Sequence, residues 1–155
     1  MATRCRIAVA RPGGAFESIY CHWDGYPSGV GRVLLDHYTD PDKVEALIAL
    51  GDLSSLGEAL GDRHDFGSPG HPEWCEAYGR DRGEVETHAI SSTDLRALQA
   101  LTQQCGGEYL YVFDSQARTW SVAEGGVALF GLPATRPPSE LRPLTDVLSE
   151  DEENP

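Results

Sequence analysis

The chain has 155 residues, of which 40% are hydrophobic and 24% charged, the composition of an ordinary globular domain large enough to bury its own core. Its 25 acidic residues against 12 basic ones give a formal net charge of −13. Such a field repels phosphates, so nucleic acid and anionic membrane are excluded as direct partners, while a partner with a basic surface is admitted.

The N-terminal residues lead directly into an alternating stretch. No long apolar segment or signal peptide precedes it, which gives the expectation of a cytoplasmic, reduced protein. Cys5, Ile7 and Val9 alternate with Arg4, Arg6 and Ala8 as a first strand. Arg11-Pro12-Gly13-Gly14 turns the chain, and Phe16 to Trp23 returns as the second strand of a hairpin. Alternation assigns Ile19, Cys21 and Trp23 to the core and Tyr20, His22 and Asp24 to the polar face. Arg4 or Arg6 joins that face if the register permits. Gly25 and Pro27 then break the strand.

Two readings of this stretch stand side by side. In one, Arg4, Arg6, Tyr20, His22, Trp23, Asp24 and Tyr26 form a cationic and aromatic surface for a ligand or partner. Free N–H groups at the next helix start would then receive an anion. In the other, Trp23 and Tyr26 fill the core of a structural corner, and His22 bonds a backbone carbonyl.

Ser28-Gly29 caps an expected helix with Val30, Val33, Leu34, His37 and Tyr38 on its apolar stripe. Asp40-Pro41 starts another, with Val44, Leu47 and Ile48 inward and Gly51 at its end. Asp36, Asp40, Asp42 and Glu45 on this helix pair are the densest acidic surface for a basic partner. Asp40 and Asp42 suit a helix start equally well. Ser55-Leu56-Gly57-Glu58 fits a capping box, predicting a short helix to Leu60.

Residues 61–86 lack periodicity and read as a long ordered loop pinned by Trp74 and Tyr78. Its His64, His71 and Cys75 match no compact zinc spacing, and the four cysteines form no C-x-x-C pair. Neither a structural metal nor a cofactor is therefore expected. Ser91 to Asp94 starts a helix marked by Leu95, Leu98, Thr102 and Cys105 and stopped at Gly106-Gly107. Glu108 to Phe113 is apolar on both faces, hence a covered strand, and Arg118 to Val122 returns beside it. Val127 to Leu132 reads as an edge strand and Pro133 to Pro143 as a surface arm. The fold class that follows is α+β: an antiparallel sheet built from hairpins, with three or more helices packed on one face. Residues 1–146 form that single domain, and 147–155 an acidic disordered tail.

The run Ser18-Ile19-Tyr20-Cys21-His22-Trp23-Asp24-Gly25-Tyr26-Pro27, with Gly29-Val30-Gly31, His37-Tyr38-Thr39-Asp40 and Leu47 to Gly57, resembles a family of small bacteriophage and prophage proteins. The likeness spans about residues 1–60 and continues through Tyr78 to Glu84. It implies a mobile-element origin and hence the cytoplasm of a bacterial host; it assigns no catalytic residue. No G-x-S-x-G, phosphate loop or H-E-x-x-H occurs, so the chain reads as non-enzymatic. The expected function is inhibition of a host defence complex by binding, with anti-CRISPR activity as the leading example. The alternative is a protein that binds or sequesters a nucleotide through the aromatic turn.

Overall fold

The computed structural model describes residues 2–124 and 139–153. In chain order the elements are β1 (Cys5–Ala10), β2 (Phe16–Cys21), α1 (Arg32–His37), α2 (Pro41–Leu50), β3 (Leu53–Ser55), β4 (Glu76–Ala77), α3 (Tyr78–Arg82), β5 (Ile90–Ser92), α4 (Leu95–Gln104), β6 (Tyr109–Asp114), β7 (Thr119–Glu124), β8 (Arg142–Pro143) and α5 (Leu144–Glu153). They form an α+β structure around one 8-stranded sheet, ordered β4-β3-β2-β1-β6-β7-β8, with β5 also paired to β2. The expected Val127–Leu132 strand lies outside the described residues, as does part of the expected arm.

Both hairpins form, β1 with β2 and β6 with β7, so most pairings are antiparallel. The sheet is nevertheless mixed, because β1 lies parallel to β6 and β2 parallel to β3. Each parallel pair is reached through intervening helices, the long connection that such pairing requires.

Ile7, Val9, Ile19, Tyr111, Phe113 and Trp120 of one sheet face share a core with α1, α2 and α5. Helix α4 covers the opposite face, packing Leu98 against Ala8, Leu110 and Val112. β6 is therefore buried on both sides, as its continuous apolar run requires.

Local chemistry sets several boundaries. Asp40 caps α2 by accepting from the Asp42 amide at 3.0 Å, and Gly51 ends it with φ 77°. Asp94 caps α4 through the Ala97 amide at 2.8 Å. The capping box at Ser55 does not start a helix. Leu53–Ser55 is claimed instead by pairing with β2 and β4, and no room exists at Gly57, where a Cβ would lie 2.4 Å from the Glu73 carbonyl.

The acidic C-terminal stretch also departs from expectation. Residues 144–153 are helical, and Leu144 and Leu148 are buried in the main core. Leu144, Val147 and Leu148 recur at helical spacing and supply the apolar stripe that holds α5 down. Burying each leucine contributes about 1.5–3 kcal/mol relative to exposure. The domain thus continues past 146. Among the described residues, no helix is long and apolar enough to cross a membrane.

Candidate docking site at the aromatic turn

Beyond Cys21 the chain leaves the hairpin but stays beside β3. His22 and Trp23 donate their amides to the carbonyls of Leu53 and Ser54 at 3.1 and 3.0 Å. Asp24 then adopts φ 59°, a left-handed conformation that ends strand alternation. Ile19 and Cys21 are buried as expected, but Trp23 is not. It stands 45% exposed, and Tyr26 is 39% exposed. The core-filling role expected for these two rings is overturned; the bend at Asp24 releases them outward.

The turn is held from beneath. Gly25 donates to the Thr3 carbonyl at 2.8 Å, and its own carbonyl accepts from the buried Tyr111 hydroxyl at 2.7 Å. A Cβ at Gly25 would sit 2.7 Å from the Thr3 oxygen, so only glycine permits this approach. Val30 donates to the Asp24 carbonyl at 2.8 Å and Gly29 to that of Tyr26 at 2.9 Å. These amides are the ones expected to receive an anion, and they are already satisfied. The helix entry is a wide turn over Pro27–Gly31, and the apolar stripe of α1 shifts with it. Val30, Leu34 and Tyr38 are buried, whereas His37 is exposed.

The exposed rings border a cavity of about 220 Å³ lined by Trp23, Asp24, Tyr26, Arg32, Val33 and Leu56. His22 meets Trp23 edge to face with ring centroids 4.7 Å apart, and the Tyr26 hydroxyl donates to Asp24 at 3.2 Å. His22 and Asp24 thus have separate partners, although alternation put both on the polar strand face.

On the α4 face, the register sets Arg6 opposite Tyr20. The Tyr20 hydroxyl lies 2.6 Å from His22 Nδ1. Burial, against the pull of Arg4, pushes the Tyr20 pKa up to about 12. Burial and the Arg4 charge together lower that of His22. With the phenol protonated and the ring neutral, the phenol donates to Nδ1 and the ring proton resides on Nε2. Arg4 makes no ion pair among the described residues, whereas Arg11, Arg32, Arg80, Arg82 and Arg142 each pair with a carboxylate. Arg6 belongs to the interior instead. It is 3% exposed and bonds the Ser18 hydroxyl and carbonyl at 2.9 and 3.0 Å.

The acidic candidates are largely engaged. Glu45 takes Arg11 through both oxygens at 2.7 and 2.8 Å, Asp36 lies 3.9 Å from Arg32, and Asp40 is the helix cap. Of the four, only the Asp42 carboxylate has no hydrogen-bond or ion-pair partner among the described residues.

The 61–86 loop contains short structure, as expected, but its metal-type residues diverge. Cys75 is buried against the Tyr38 hydroxyl and the Gly57 amide, and His71 stacks on Trp74 at 3.7 Å. Among the described residues no three His, Cys, Asp or Glu side chains converge as metal ligands. The organiser of this loop is Asp81. It accepts from the amides of Ala77 and His64 at 2.8 and 3.1 Å and from Arg80 at 2.9 Å. Arg80 extends the anchor to the Leu60 and Cys75 carbonyls. The sequence offered no local sign of this role, since the partners are spread over some twenty residues.

Comparison of this chain with protein-family models, with curated proteins and with solved structures finds no match.

Proposed function

We propose that this protein is a non-enzymatic, phage-encoded inhibitor that docks on a basic host defence complex, with Trp23 and Tyr26 as its anchors. The supporting observation is the exposure of these two rings, 45% and 39%, on a turn fixed by the Thr3, Asp24 and Tyr111 hydrogen bonds. Pre-positioned aromatic anchors lose little conformational freedom on binding and supply most of an interface's energy. The net charge of −13 steers the molecule toward a basic surface and accelerates encounter. The engaged state of Asp36, Asp40 and Glu45 favours this division of labour over carboxylates that mimic phosphates one for one.

A second reading, nucleotide sequestration, is favoured by Arg4, a guanidinium beside Tyr20 and His22 without a carboxylate partner among the described residues. The test is expression in bacteria whose CRISPR system targets an infecting phage. Plaque formation restored by the wild-type chain and abolished by Trp23→Ala with Tyr26→Ala supports docking. No restoration by the wild type, at verified expression, counts against the inhibitor reading. Native mass spectrometry of protein purified from cells, showing a retained nucleotide lost in Arg4→Ala, transfers the assignment to the second reading.

A further inference from the structure

A second surface lies at the other end of β2, on the order of 20 Å from the aromatic turn along the strand. There β5 pairs with β2 through Phe16–Ser92 and Ser18–Ile90, and no strand covers its outer edge among the described residues. Strand geometry directs the Ser91 N–H and C=O outward, because Ile90 and Ser92 face β2. Between this edge and α4 runs a groove of about 380 Å³, lined by Ile90, Ser92, Ala97, Ala100, Leu101 and Gln104. Ala97 and Ala100 keep the helical wall low enough for another backbone to approach. The Ser92 hydroxyl, on a residue only 4% exposed, has no hydrogen-bond partner among the described residues. Ile90 beside it is 42% exposed.

We infer that this groove takes an extended peptide segment of a protein partner, added as a strand to β5 and covered on one side by α4. Main-chain bonds to Ser91 give the affinity, and alternate side chains enter the groove. The lining carries no charge, so the central residues of the peptide are small and uncharged. The approaching chain carries Glu86, the departing chain Asp94, and the whole protein is strongly acidic, so the flanking residues are lysine or arginine. The inference is independent of the aromatic-turn reading.

The test titrates the ¹⁵N-labelled full chain with a synthetic peptide of alternating threonine and valine bearing two lysines at each end. Saturable shifts confined to residues 89–93 and 97–104 are expected. Methylating alternate backbone nitrogens of the peptide should weaken binding about tenfold, because main-chain hydrogen bonds are lost. Ala100→Glu, on an exposed helix position, should do the same without unfolding. Shifts elsewhere, no saturation at millimolar peptide, or equal binding of the methylated peptide would overturn the inference. Concentration-dependent shifts of the same residues without peptide would assign the edge to a second copy of the chain and overturn it equally.

Discussion

Replacing Tyr111 with phenylalanine removes one buried hydroxyl and keeps the ring. That hydroxyl donates to the Gly25 carbonyl at 2.7 Å, and Tyr111 is fully buried. The net hydrogen bond is worth about 1 kcal/mol, and leaving the carbonyl unsatisfied adds about 1 kcal/mol or more. The expected loss is thus about 2 kcal/mol. With a urea slope of about 2 kcal/mol/M, the unfolding midpoint falls by about 1 M. Hydrogen exchange supplies the local readout. The amides of Gly25, Gly29 and Val30 should exchange faster by more than the global loss explains, while that of Leu47 tracks global stability. Tyr38→Phe is the control. Its hydroxyl donates to the Gly57 carbonyl at 2.7 Å, so it should cost a similar amount and leave the turn's local exchange unchanged. An unmoved midpoint, or identical exchange in the two variants, refutes the claim that Tyr111 holds the turn from beneath.

Leu148→Ala should cost about 2–5 kcal/mol by urea titration, since it opens a cavity under α5; a neutral result would return 147–153 to the status of a tail. Burial pushes the Asp81 carboxyl up, but the Arg80 guanidinium and the Ala77 and His64 amides outweigh it and hold the pKa below its ordinary value. Its stabilisation is therefore present above about pH 4 and lost as pH falls through the lower folded value, and Asp81→Asn should flatten that acid limb of a midpoint-versus-pH curve. Burial raises the Tyr38 and Tyr111 phenols, so stability should fall as pH rises beyond about 10, less steeply in the double phenylalanine variant.

Elements whose determinants are local were legible in the sequence. Helix α2 is bracketed by Asp40-Pro41 and Gly51, and α4 is announced by Asp94, because caps act within one turn. Both hairpins follow from alternation around short turns. The parallel union of β1 with β6 was hidden, since no local signal specifies which strands meet across a hundred residues. Local propensity also lost where tertiary pairing competed, as at Ser55, whose capping box yields to β3. In the site, the shared face of Tyr20 and His22 was legible from alternation, but the exposure of Trp23 was not. That exposure depends on two amides captured by β3 and on the left-handed Asp24. Helix α5 was obscured by its acidic composition, although Leu144, Val147 and Leu148 carry helical spacing.

In the proposed function, exposed aromatic anchors guided by a negative field carry binding. The most direct measurement of this is the affinity of purified wild type, Trp23→Ala and Asp36→Asn with Glu45→Gln for an immobilised CRISPR effector complex at low and high salt. Trp23→Ala should weaken binding by at least about 2 kcal/mol at both salts, as loss of an aromatic anchor does. The acid pair should lose far less, with salt acting mainly on the association rate. Full affinity in Trp23→Ala, with binding abolished by the acid pair and by salt, would contradict that role of the anchors.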